Sequence, residues 1–106
     1  MEVSSMRFLV ISLPRSETVP PELLPGLIDA EREWRGRYSD RIDSYGWFAG
    51  GGGFGIVDAG DETTLSRMVT EHPFTPFGEL QIRPIVDADV AAGHLREVLE
   101  KMAATA

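Results

Sequence analysis

Both sides of the run Arg7 to Leu13 are apolar: alternation sends Phe8 and Val10 to one face of a strand and Leu9, Ile11 and Leu13 to the other. Such a strand has to be covered on two faces, and a chain of 106 residues has few elements with which to do it. The remaining pattern supplies them in a fixed order. Pro14 stops the first strand, and a helical segment runs from about Pro21 to Tyr38. Strands follow at Ile42 to Ala49 and Phe54 to Asp58, joined into a hairpin by the glycines Gly50 to Gly53. Asp61 offers a cap for a second helix, whose stripe is Leu65, Met68 and Val69 and which Pro73 ends. Glu79 to Val86 reads as a fourth strand, with Pro84 marking an edge position, and Asp89 as the cap of a last helix carrying Leu95, Val98, Leu99 and Met102.

The order β-α-β-β-α-β predicts an α+β, ferredoxin-like sandwich: a four-stranded antiparallel sheet with two helices on one face, extended by a C-terminal helix. The other face would leave Leu9, Ile11 and Leu13 in water, a larger apolar patch than monomers carry. A second copy is expected to cover it, giving a dimeric α+β barrel. One domain is expected over residues 6–106, with Met1 to Ser5 as a frayed leader.

Within the first helix one residue breaks the pattern. Advancing about 100° per residue, Leu23, Leu24, Leu27, Trp34 and Tyr38 share one sector, and Glu31 falls inside it. Asp29, Arg32, Glu33 and Arg37 lie on the opposite side or its flanks. A carboxylate sheltered from water is a group that can both hold and release a proton near neutrality, so Glu31 is the candidate proton carrier. The structural alternative is an ion pair with Arg7 or Arg35.

Composition removes other chemistries. Zero cysteines exclude disulfides, thiolate metal sites and a cysteine nucleophile, and fit a reducing cytoplasm, the expected location. A net charge of −7 argues against nucleic acid and anionic membranes as partners, leaving small molecules and proteins. No apolar run approaches the roughly 20 residues that span a bilayer. Two histidines without ligand spacing give no zinc site, no metal is expected, and no G-x-S-x-G is present.

Gly50 to Gly55 matches G-x-G-x-x-G, but a strand follows it where a dinucleotide fold needs a helix N-terminus. Gly51 and Gly52 then either leave room for a ligand beside the sheet or let the hairpin twist sharply. His72 continues the stripe of the second helix at its last turn, as a catalytic candidate or a cap for the final carbonyls. His94 reads as solvent-facing. Trp34, Tyr38, Tyr45, Trp47, Phe48 and Phe54 are available as aromatic walls.

The stretch Phe48-Ala49-Gly50 leading to Ile56-Val57-Asp58, then Leu65, then His72-Pro73-Phe74-Thr75-Pro76-Phe77 and Leu80-Gln81-Ile82, resembles the muconolactone Δ-isomerases and their small relatives. The resemblance covers roughly Met6 to Asp87. It implies a ferredoxin-like unit that pairs through its sheets and moves a proton between carbons of an unsaturated lactone, without metal or organic cofactor. It also implies a proton-carrying glutamate in an acid-basic-acid stretch, here Glu31-Arg32-Glu33. Gly51 to Gly53 stand where the family has bulkier residues, which implies a wider, less polar pocket and a substrate other than muconolactone.

The expectation is a cofactor-independent isomerase or cyclase acting on a small, largely apolar carbonyl or lactone compound. Glu31 would shuttle the proton, and His72 or Arg7 would orient the substrate or stabilise an enolate oxygen. Trp34, Tyr38 and Phe54 would line the cavity, with Gly51 and Gly52 making space. The alternatives are a cofactor-free monooxygenase of the antibiotic-biosynthesis type and a non-catalytic binding dimer.

Overall fold

The computed structural model describes residues 6–15 and 19–105; the expected leader lies outside them. Strand β1 (Arg7–Pro14) is followed by a 3-10 turn (Pro21–Leu23) that runs into helix α1 (Leu24–Arg37). Strands β2 (Ile42–Trp47) and β3 (Gly53–Asp58) form the hairpin, and helix α2 (Glu62–Glu71) follows. A second 3-10 turn (Thr75–Phe77), strand β4 (Gly78–Ile85) and helix α3 (Ala88–Thr105) complete the chain.

The sheet runs β2-β3-β1-β4 with every neighbouring pair antiparallel, the arrangement that the β-α-β-β-α-β order predicts. Pro84 does lie on an edge strand, where a missing donor N–H is tolerated. Asp61 caps α2 by accepting the Thr64 N–H at 2.7 Å, and α2 is held to that start. The last helix begins one residue before Asp89, which falls in its first turn instead of capping it.

A bulge between Ile42 and Ser44 sets the parity of β2. Ile42 pairs with Val57 and Tyr45 with Gly55, so two residues three apart point to the same face. The core on that face is Phe8, Trp34, Val57, Ala59, Leu65 and Met68, packed between the sheet and α1 and α2. Trp34 ties the two helices together by donating its indole N–H to the Met68 carbonyl at 2.9 Å.

Apolar surfaces on the helices remain outside this core. Leu23 and Leu24, expected in the buried stripe of α1, are exposed because nothing among the described residues packs over the helix's first turns. Helix α3 buries no residue and leaves Leu95, Val98, Leu99 and Met102 more than half exposed. The radius of gyration, 17.9 Å, reflects that projection; a compact chain of this length would be near ~13 Å.

Candidate functional site

A cavity of about 300 Å³ lies between the inner face of the sheet and helices α1 and α2. Two cross-strand rows form its floor: Tyr45, Gly55 and Val10 in one, and Trp47, Gly53, Ser12 and Leu80 in the other. The hollow exists because β3 contributes glycines to both rows. At Gly53 no side chain is possible, since a Cβ would come within 2.6 Å of the Gly46 carbonyl oxygen. At Gly55 a Cβ would meet Tyr45 Cδ2 at 3.6 Å and Val57 Cγ1 at 3.9 Å, ordinary contacts. Gly55→Val is therefore expected to fold and to fill the cavity, weakening a ring-sized guest by about tenfold or more, as overpacking penalties of this size imply. Calorimetric titration checks it; undiminished affinity would place the guest elsewhere.

Gly51 and Gly52 border the same space at the hairpin end, with φ of +104° and +81°. A Cβ on Gly52 would collide with the Ser12 carbonyl oxygen, so backbone approach as well as φ demands glycine there.

Trp34 closes the helix side, and its ring meets that of His72 edge-on, with centroids 4.6 Å apart. His72 follows α2 directly, in extended conformation, and presents its ring to the cavity. The Phe74 backbone N–H donates to Nδ1 at 3.2 Å, so a neutral imidazole carries its proton on Nε2. That nitrogen lies 3.1 Å from the Tyr45 hydroxyl, which accepts from it. The neighbouring Glu31 carboxylate bears on the same hydroxyl. The Tyr45 pKa is raised, by burial first and then by hydrogen bonding and charge from Glu31. Burial lowers the His72 pKa, and the charge of Glu31 opposes that shift.

Glu31 is 1% exposed, as its place in the apolar sector of α1 predicts. Arg35 meets it one turn on, with Nε 2.6 Å from Oε1 and a terminal nitrogen donating to Oε2 at 3.1 Å. The Nε contact is a charge pair without hydrogen-bond alignment, and the buried Oε1 has no aligned donor. Glu31 does not itself line the cavity; Tyr45, which does, connects it to that space.

The structure thus brings together Glu31, His72, Trp34, Gly51 and Gly52, and separates the rest. Arg7 stands on the outer side of β1, paired with Asp43 at 2.8 Å and away from the cavity, because strand alternation turns it from Phe8. Tyr38 also lies outside the cavity, at the end of α1, where its hydroxyl donates to Glu71. Phe54 borders the cavity, yet alternation sends its ring to the opposite face, against Phe48 and over Gly46. Gly55 was not among the expected site residues, and Tyr45, expected only as an available aromatic wall, was given no part in the chemistry. Among the described residues no group of three or more His, Asp and Glu side chains is placed to hold a metal ion. No described helix is long and apolar enough to cross a membrane.

An architectural parallel comes from a solved structure of 5-chloro-2-hydroxyhydroquinone dehydrochlorinase (TftG) from Burkholderia phenoliruptrix AC1100, in complex with 2,5-dihydroxybenzoquinone. It superposes with a TM-score of 0.63 over 79% of this chain and 97% of that chain, at 19% identity. The two share a muconolactone isomerase-like fold. At this identity the likeness is one of fold. No protein-family model and no curated protein matches the sequence.

Proposed function

We propose that the protein is a cofactor-independent enzyme that moves a proton on a ring-sized, largely apolar carbonyl compound bound in the cavity. The observation that carries this reading is the Tyr45 hydroxyl, 3.1 Å from His72 Nε2 on the wall of a largely apolar hollow, with a carboxylate of 1% exposure as its neighbour. A carbon-bound proton next to the carbonyl passes to the Tyr45 oxygen as the Tyr45 proton passes to Glu31. Reversal at a second carbon completes an isomerisation. His72 holds the Tyr45 oxygen in place through its Nε2 proton. The similar solved structure belongs to a dehydrochlorinase and holds a benzoquinone, which supports a small oxygenated ring as guest.

Conversion of 3-cyclohexenone to 2-cyclohexenone tests the reading, since one proton leaves the carbon beside the carbonyl and one returns two carbons on. The expected result is an absorbance rise that Tyr45→Phe abolishes. Equal rates with and without protein would reject it.

The same reading includes a second copy of the chain. Leu9, Ile11 and Ile56 on the outer face are only half buried, Leu13 is exposed, and α3 is apolar along one side without a partner. Sedimentation velocity at micromolar concentration is expected to give twice the 11.7 kDa chain mass. A single-chain mass would remove the pairing.

A further inference from the structure

We infer that the cavity is built for uncharged guests and rejects anions of the same shape, because no described residue lining it carries a cation and the one behind its wall, Arg35, is already paired with Glu31. The inference rests on the proposed function only in seating the guest in this cavity.

Of the described residues lining the space, only Tyr45 and His72 titrate. Neither supplies a positive charge: Tyr45 is held protonated by its surroundings, and burial keeps the His72 imidazole neutral. Among the described residues, aspartate, glutamate, lysine and arginine are all absent from the wall. Behind Tyr45 the Arg35 guanidinium carbon lies 5.6 Å from the ring centroid, but that cation is already engaged with Glu31 and has 45% of its side chain in water. The C-terminal end of α2 adds a partial negative charge beside His72, where the helix's last carbonyls lie. The Val69 carbonyl in that turn accepts from the Thr75 hydroxyl at 2.6 Å, so Thr75 does not offer its proton to a guest. The main-chain N–H of Gly51 is likewise taken, by the Phe48 carbonyl at 3.0 Å. A carboxylate guest would lose its hydration and meet neither a cation nor these donors. An uncharged ketone pays no such penalty and stacks on Trp34, Tyr45 and Trp47.

Two probes of nearly equal shape separate the cases: 2-acetylnaphthalene, which is uncharged, and 2-naphthoate, which is an anion at pH 8. Isothermal titration of the wild-type chain is expected to show the ketone binding at least about tenfold more tightly, the scale of a poorly compensated buried charge. In Glu31→Gln the Arg35 guanidinium over the Tyr45 ring loses its carboxylate partner, so naphthoate is expected to gain affinity while the ketone does not. Naphthoate binding as tightly as the ketone would overturn the inference, as would binding of neither probe. A naphthoate affinity that Glu31→Gln leaves unchanged would overturn it too. Because the readout is binding, an inactive protein that still prefers the ketone would remove the catalytic proposal and leave this one standing.

Discussion

Glu31→Gln is expected to slow the enone isomerisation by about 10²-fold or more, the usual scale of acid–base assistance, while the fold and the cavity persist. Glutamine keeps the size of the side chain, but it cannot store a proton. Because Glu31 lies behind the wall and not on it, the shape presented to a guest is unchanged. Stability should change little as well. Removing one member of a buried pair is costly when the survivor stays buried and unpaired, but here the survivor is Arg35, whose side chain is 45% exposed and can turn to water. Initial rates by absorbance, together with the far-ultraviolet spectrum, check both halves. A variant that folds and turns over at the wild-type rate would exclude Glu31 from the chemistry.

Trp34→Ala acts on the scaffold instead. The indole is 6% exposed, bridges α1 to α2 through the Met68 carbonyl at 2.9 Å, and packs against His72, Tyr38 and Tyr45. Its loss merges a new void with the existing cavity and leaves a buried carbonyl without its donor. Substitutions of buried Trp by Ala cost about 3–5 kcal/mol, a large share of the stability of a domain this size. Urea titration should show the midpoint falling with an unchanged slope. A shift of only a few tenths of a kcal/mol would mean that the helices are held by something other than this residue.

The fold was legible because its signals are local. Proline and glycine positions bounded the strands, Asp61 marked a helix start, and the element order left few topologies. Glu31 was legible because a helix has a fixed period, so a misplaced carboxylate stands out over a few turns. Tyr45 was legible only as an available aromatic, and its place beside Glu31 and His72 was not, because of the bulge. Plain alternation from Ile42 turns Ser44 and Gly46 inward and Tyr45 outward, whereas the extra residue reverses that order. Nothing within β2 announces the bulge; it is fixed by pairing with β3. Arg7 and Tyr38 were misplaced for a related reason, since nearness to the site depends on which face and which end of an element the tertiary packing uses. The exposed start of α1 shows the same limit: an apolar stripe says that a surface wants cover, not whether this chain provides it.

The hollow owes its volume to side chains that β3 lacks, while the proposed proton route uses residues on β2, α1 and the segment after α2. A glycine codon is a single base from alanine, valine and several larger residues. Lineages carrying this scaffold can therefore narrow what they accept one step at a time at Gly55, leaving the reactive groups untouched, so substrate range and reaction type are inherited on different parts of the chain.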